Sequence, residues 1–371
     1  MRFLQRGAGH TARQDLRESV YEIAYGQGMN GATPPPAGAV NMADVATEAG
    51  VSIATVSRAL RDVPGVSQAT RDRIRKIAQE LSYVISPEAS GLSRGQTGRV
   101  AVVMPRLDAW FYSAMIASMA PVLRAAGLDM LVYQVDGEEQ RTRFLRELPA
   151  RRKADAVILT ALPMAQAEVE RLDLMGVHVV VAGGGVRDYP HVQVDDLAAG
   201  RTAVQHLVDL GHRRIAMIRT SDTDGTTWSS DLLRTQAWRE TLADAGLEAA
   251  DELLVTETYG VDAGARAMTR LLALPEPPTA VFAYSDELAF AAVLHARAHG
   301  LRVPEDVSVM GIDGHPLSEL FGLTTVDQDV AAQGRAAAGI VVRLVSGEHD
   351  VSDLDLETRL VVRGSTGAPP S

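Results

Sequence analysis

The pattern of apolar and polar positions divides the chain near residue 99. Beyond it, apolar runs of strand length at 100–104, 129–134, 156–159, 177–181, 191–194, 214–218, 280–283 and 307–312 alternate with helical stretches. The clearest helical stretches are 112–126, 197–210, 233–245, 264–274 and 286–299. This alternation predicts parallel sheets covered by helices, arranged as two doubly wound lobes. Before residue 99, from Asn41 to Tyr83, the pattern is helical. Asn41 is an N-cap for a first helix over 42–49, whose inward positions Val45, Ala46 and Ala49 are small and apolar. Gly50 permits a turn, and Ser52 caps a second helix whose buried side is Val56 and Leu60. After a turn at Arg61-Asp62-Val63-Pro64-Gly65, Ser67 caps a third helix to about residue 82, with Ile74, Ile77, Ala78 and Leu81 facing inward.

The second helix carries the chemistry of this small bundle. Opposite Val56 it presents Ile53, Ala54, Ser57, Arg58 and Arg61 on one face, small, polar and basic at its tip. Such a face can enter a DNA major groove about 12 Å wide, although a generic three-helix bundle shows the same apolar spacing. On the third helix, Arg71, Arg73, Arg75 and Lys76 read as a solvated face in preference to phosphate contacts.

Taken in order, Asp44-Val45-Ala46, Ala49-Gly50-Val51-Ser52, Thr55-Val56-Ser57-Arg58, Val66-Ser67, Thr70-Arg71 and Leu81 to Tyr83 resemble the headpiece of the lactose-repressor (LacI/GalR) family. The similarity extends through almost all of the remaining chain. It implies a helix-turn-helix at 41–85, a hinge helix or linker at 86–98, and a two-lobed, periplasmic-binding-protein-like body at 99–371 for effector binding and dimerisation. Residues 1–40 contain a Gly/Pro tract, Asn30 to Gly38, and read as a disordered extension. The DNA-binding residues implied are Ser52, Ile53, Ala54, Thr55, Ser57 and Arg58. Leu92 matches the hinge leucine that enters the minor groove. The hinge departs from the family pattern: Ile85 and Ser86 stand where proline and asparagine are common, and Pro87 comes two residues later.

Ligands of open parallel sheets lie beyond the carboxyl ends of the strands. Trp110, Phe111 and Tyr112 follow the first strand there, with aromatic faces suited to sugar rings. The resemblance adds Arg234 as a ligand-oxygen donor, Asp286 as an acidic acceptor, and Tyr259 and Gln328 at further matched positions. Ala109 and Gly183-Gly184 replace an asparagine and an Asp-Arg pair common in relatives, which points away from a simple hexose. The bland alternatives are helix capping for Asp286, a surface ion pair for Arg234 and packing for the aromatics.

Composition bounds the rest. With 371 residues and 46% apolar content the chain exceeds one ordinary domain. It has no cysteine, hence no disulfide or thiolate metal site, which fits a reducing cytoplasm. No apolar run of membrane length occurs. The net charge is −11, yet residues 42–99 carry net +2 and residues 100–371 net −14. An acidic body limits non-specific DNA attraction, and so weakly basic a head needs a dimer mate. His295 and His299, four apart, lack the glutamate of a zinc helix, and His212 reads as structural. Gly91-Leu92-Ser93-Arg94-Gly95 spells G-x-S-x-G but lacks the strand before and helix after that a nucleophile elbow needs. The expectation is therefore a cytoplasmic, nucleoid-associated homodimeric regulator, with no enzyme activity, cofactor or metal, that binds operator DNA under control of a carbohydrate-class effector. The rival class is a small-molecule binding protein without a DNA role.

Overall fold

In a computed structural model the chain forms two compact units, Met1–Ser86 and Pro87–Ser371. The described residues are 40–83, 96–162, 164, 166–185, 189–221 and 229–370. Leu92, the G-x-S-x-G tract, most of the expected hinge and the 1–39 extension lie outside them.

The first unit holds three helices among its described residues: α1 Met42–Ala49, α2 Ile53–Leu60 and α3 Gln68–Glu80. Each begins at the expected cap. The Asn41 side chain accepts from the backbone of Ala43 and Asp44, while Asp44 Oδ2 accepts from Asn41 N at 2.8 Å, a reciprocal capping box. Ser52 accepts from Thr55 N and Ser67 from Thr70 N. Val45, Ala49, Val56, Ala59, Ile74 and Ala78 form the core. Leu60, expected inside, is half-buried at its margin, and Ala59 takes the interior position.

The α3 arginines do more than face water. Arg71 and Arg75 both reach Asp62, each at 2.6 Å, and Arg73 donates to the carbonyl of Ala49 at 2.9 Å. They tie α3 to the turn before it and to the end of α1, and the contact with Arg71 holds the Asp62 carboxyl below its usual range.

The second unit contains two six-stranded sheets among the described residues. In chain order its elements are β1 Arg99–Met104, α4 Trp110–Ala125, β2 Asp129–Gln134, α5 Gly137–Glu147, β3 Ala156–Thr160, α6 Gln166–Asp173, β4 His178–Ala182 and β5 His191–Val194. There follow α7 Asp196–Asp209, β6 Ile215–Ser221, α8 Ser229–Asp244, β7 Leu254–Thr258, α9 Ala263–Leu272, β8 Ala280–Ala283, α10 Asp286–Ala298, β9 Ser308–Asp313 and α11 Leu317–Phe321. The chain ends with β10 Thr324–Asp327, α12 Val330–Val345, β11 Leu354–Leu356 and β12 Arg359–Val361. The sheet orders are β11-β5-β4-β3-β1-β2 and β12-β10-β9-β8-β6-β7. All pairings are parallel except β10 with β12.

These are the two doubly wound lobes that the alternation predicts. Strands such as β3 are apolar along most of their length, here Ala156 to Leu159, because helices cover both faces, and every residue of β3 is buried. The chain passes between lobes three times: after β5, where α7 joins the second core; after β10, where α12 returns to pack on α4; and between β11 and β12. His212 is buried and structural, bonded to Thr279, Ser308 and the carbonyl of Gly367. His295 bonds to Thr269 and lies 4.1 Å, ring to ring, from His299.

Candidate functional site

On the first unit the exposed face of α2 is built as its cap dictates. Ser52 Oγ and Thr55 Oγ1 are 2.9 Å apart, so both hydroxyls are held at the helix start. Ile53 is 52% exposed, Ala54 is exposed and Ser57 half-buried. Arg58 is exposed, and its guanidinium makes no hydrogen bond or ion pair to a described residue. Arg71, Arg73 and Arg75 on α3 are tied down, whereas Arg58 is a long cation left exposed on this face.

On the second unit a cleft opens between the lobes at the carboxyl ends of the strands. Arg106 and Tyr112 reach it after β1, Gly183 after β4, Thr220 within the end of β6, Tyr284 after β8, Asp313 at the end of β9 and Gln328 after β10. The lobes are drawn together: the volume that the centre of a water-sized sphere can reach is about 50 Å³. That is room for a few waters, so a sugar-sized molecule requires the lobes to part.

Three contacts bridge them. The backbone N–H of Trp110 on α4 donates across them to Glu287 Oε2 on α10 at 3.2 Å, an oxygen that also accepts from Tyr259 Oη of its own lobe at 2.8 Å. The Arg106 guanidinium lies 4.3 Å from the centre of the Tyr259 ring. The Trp110 ring packs 4.5 Å from His315, and Trp110 is absent from the cleft lining.

Arg234 is 4% exposed and projects from α8 into the cleft wall. It grips Asp196 Oδ1 through Nε at 2.8 Å and Nη2 at 2.7 Å, and donates from Nη1 to the carbonyl of Tyr284 at 2.7 Å. Burial opposes its charge, but the Asp196 carboxylate overrides that and holds the guanidinium more firmly protonated than usual. This is a buried pair, neither the surface ion pair nor a bare ligand clamp.

Asp286 departs furthest from the sequence reading. It is fully buried and does not line the cleft. Oδ2 accepts from His315 N and Ser318 Oγ, both at 2.8 Å, and Oδ1 from Thr325 Oγ1 at 2.7 Å. These bonds pin α10 beneath β10 and the loop after β9. Desolvation raises its carboxyl to about 6. Helix capping is not its role either, since Ser285 caps α10.

The carboxylates facing the cleft are Glu287, Asp196 and Asp313. Asp313 is 5% exposed at a backbone φ of 147°, outside the range side-chain-bearing residues prefer. Desolvation, reinforced by nearby Asp286, raises its carboxyl well above the usual range, and burial raises that of Glu287. Gln328 donates to Asp313 Oδ1 at 2.7 Å.

Phe111 and Tyr112 line the cleft with rings 5.2 Å apart, edge to face. A Cβ at Gly183 would fall 2.9 Å from the Phe111 ring, so the absence of a side chain there makes room for that ring. Thr220 is 1% exposed and its hydroxyl has no partner among the described residues. Asp196, Asp313, Arg106 and Thr220 were all discoverable by the strand-end rule that found Trp110 to Tyr112, had each strand been followed by one or two residues.

Residues 41–86 match the family model for bacterial regulatory proteins of the lacI family, and 204–366 that for a periplasmic binding protein-like domain. The transcriptional repressor CytR of Escherichia coli K12 is 32% identical over 337 residues, covering 90% of this chain and 98% of the relative. The chain belongs to the LacI family. A solved complex of the regulator CelR with cellobiose is 33% identical, covering 88% of this chain and 99% of that one, at a TM-score of 0.63. The lac repressor dimer bound to operator and the anti-inducer ONPF is 25% identical over 89% of this chain and 99% of its own, at a TM-score of 0.78. The protein is therefore a DNA-binding transcriptional regulator with a periplasmic-binding-protein-like body. Among the described residues no helix is long and apolar enough to cross a membrane.

Proposed function

We propose that this regulator is a homodimeric repressor in which paired copies of α2 read a pseudo-palindromic operator in successive major grooves, while a small molecule in the cleft sets operator affinity. The carrying observation is the exposed face of α2, where Arg58 has no partner among the described residues and stands beside the apolar Ile53 and Ala54. Arg58 suits a bidentate contact to guanine, and Ile53 and Ala54 suit thymine methyl groups. Ser52, Thr55 and Ser57 offer hydroxyls to phosphates and base edges. Leu92 is assigned the minor-groove wedge, within a hinge at 86–98 that links a headpiece at 41–85 to the body at 99–371.

In the cleft, Arg234, Tyr259, Gln328, Phe111 and Tyr112 are assigned to the ligand's surroundings. Trp110 and Asp286 act on it through the packing of the lobes. Lobe closure around ligand then shifts how two hinges meet, with a coupling of about 1 to 3 kcal/mol. The protein works without a cofactor or catalytic step, in the cytoplasm on chromosomal DNA.

The test is titration of operator DNA, selected from genomic fragments, at fixed salt. Arg58→Ala costs about 1 to 3 kcal/mol in operator affinity and relaxes specificity at one base pair. Unchanged affinity, or retention by the wild-type chain that disappears entirely with moderate salt, contradicts the proposal.

A further inference from the structure

We infer that the body of this regulator touches DNA itself: the loop Arg151-Arg152-Lys153, between α5 and β3, sets three cations against phosphates of the bound duplex. This is a surface beyond the α2 and hinge contacts proposed above, and it rests on operator binding by this chain.

The loop is a built turn. The N–H of Arg151 donates to the carbonyl of Leu148 at 2.9 Å, and those of Lys153 and Ala154 donate to the carbonyl of Ala150 at 2.9 and 3.1 Å. Leu148, Ala150 and Ala154 are buried in the core of this lobe, while Arg151, Arg152 and Lys153 are all exposed. Nearby Arg141, Arg143 and Arg171 are bonded to Glu168, Glu147 and the carbonyl of Leu145. The three loop cations make no side-chain hydrogen bond or ion pair to a described residue. Arg152 stands at a backbone φ of 62°, in the left-handed region that suits glycine and strains an arginine. A run of charge that served only to meet water would not require an arginine at that position.

Its place in the fold gives it a reach. Two residues after Lys153, the Asp155 carboxylate accepts from Thr97 N at 2.6 Å and Gly98 N at 2.7 Å, which fixes the chain where it enters the body. Arg152, Asp155, His178, Gln96 and Thr97 line one hollow at the amino ends of β1, β3 and β4. The loop cations therefore sit beside the end of the link to the headpiece. From Tyr83 to Gln96 is thirteen residue steps, about 45 Å at full stretch, little more than one turn of duplex at about 34 to 36 Å. A DNA-bound headpiece thus keeps the loop near the same duplex.

Charge names the partner. Residues 100–371 carry net −14, so a body tethered near a duplex is repelled by it. Three adjacent cations at the tethered end offset that repulsion locally, and each one that meets a phosphate releases counterions. Among the described residues the acids at this end are engaged or set apart. Asp155 holds the two N–H groups, Glu147 takes Arg143 and Glu348 takes Arg343. Asp129 and Asp350 precede or begin the outermost strands β11 and β2, whereas the loop precedes β3 in the middle of the sheet. Phosphate contacts carry no sequence information, so the loop supplies affinity and orients the body while α2 reads bases.

The test uses the full chain and an operator fragment extended by at least one helical turn, about 10 base pairs, on each side. Affinity is measured from about 50 to 200 mM salt for the wild type and for R151Q/R152Q/K153Q. Three lost phosphate contacts lower the slope of log affinity against log salt by about 2.7, so the variant's deficit shrinks about fortyfold across that range. Its discrimination between the operator and single-base-pair variants stays unchanged. Arg152→Gly relieves the strained backbone, so the free chain melts at the same or a higher temperature while the slope falls by about 0.9. Arg239→Gln, at an exposed cation on α8 in the other lobe, leaves the slope as it was. A wild-type slope in the triple variant overturns the inference, whether affinity is unchanged, as for a solvated loop, or lower by one factor at every salt, as for a loop that only steadies the link. An equal fall in slope in Arg239→Gln also overturns it, since the effect is then one of overall charge. If the wild-type chain binds no operator, the operator-binding reading fails and this inference with it.

Discussion

Asp286 offers the sharpest separation between a residue that meets ligand and one that shapes the fold. In Asp286→Ala the His315 N–H, the Ser318 hydroxyl and the Thr325 hydroxyl lose their acceptor together. A buried donor left unpaired costs about 1 to 3 kcal/mol, and hydroxyls can rotate toward other acceptors, so the expected loss is about 3 kcal/mol or more. Asp286→Asn has nearly the same shape. Its amide oxygen can face His315 and Ser318 while its NH₂ donates to a rotated Thr325 hydroxyl, and the expected loss is about 1 kcal/mol or less.

The pH dependence carries an independent signature. Desolvation holds the folded carboxyl at about 6, above its ordinary value of 3.8. Between those values the native chain keeps a proton that the unfolded chain has lost, so stability falls as pH rises from about 4 to 6 and then levels. Two units correspond to about 3 kcal/mol. Asp313 and Asp231 shift in the same direction, so the informative quantity is the wild-type curve minus that of Asp286→Asn, which cancels Asp231 and retains the Asp286 share together with its interaction with Asp313. Urea unfolding of the full chain at several pH values measures both effects, with titration alongside of a responding probe, a sugar or nucleoside that raises the melting temperature. If Asp286→Ala unfolds at the wild-type urea midpoint while probe affinity drops tenfold, Asp286 meets the ligand and the packing account is wrong.

Two further substitutions probe the framework. A Cβ at Gly311 would fall 2.3 Å from Asp286 Oδ1 and 3.0 Å from its Cα, with no flexible side-chain end to yield, so Gly311→Ala is expected to cost at least as much stability as Asp286→Ala in the same urea assay. In the first unit, Arg73→Ala deletes the bond to the Ala49 carbonyl and is expected to lower stability by about 1 kcal/mol, while the slope of log operator affinity against log salt stays unchanged. A slope reduced by about one would instead make Arg73 a phosphate contact.

The fold was legible where burial is two-sided or capping is explicit. β1 from Val100 to Met104 and β3 from Ala156 to Leu159 are apolar runs because helices cover both faces, and Asn41, Ser52 and Ser67 mark their helices as their side chains require. Edges and crossings were not. β7 is an edge strand whose buried positions alternate, so it reads as polar, and β10 hides Thr324 and Thr325 through hydrogen bonds to Ser365 and Asp286 that sequence does not announce. α5 shows only Phe144 and Leu145 on an otherwise charged helix. α12 is rich in alanine, and nothing in its local pattern says that it leaves the second lobe to pack on α4.

The cleft was legible by location and less so by individual side chain, and Ser285-Asp286-Glu287 shows why. These three consecutive residues begin one helix, where each step turns the side chain by about 100°. Ser285 folds back to cap Leu288, Asp286 turns inward beneath β10, and Glu287 turns outward to hold Trp110 across the lobes and Tyr259 within its own. Matching a motif fixes which helical turn lies near a ligand, but the direction of a carboxyl depends on which neighbour supplies donors first. Here β10 and the loop after β9 supply three donors to Asp286, and the acids left facing the cleft are Glu287, Asp313 and Asp196. The same displacement explains why the guanidinium of Arg234 reaches the cleft already matched: the body supplies its counter-charge through Asp196.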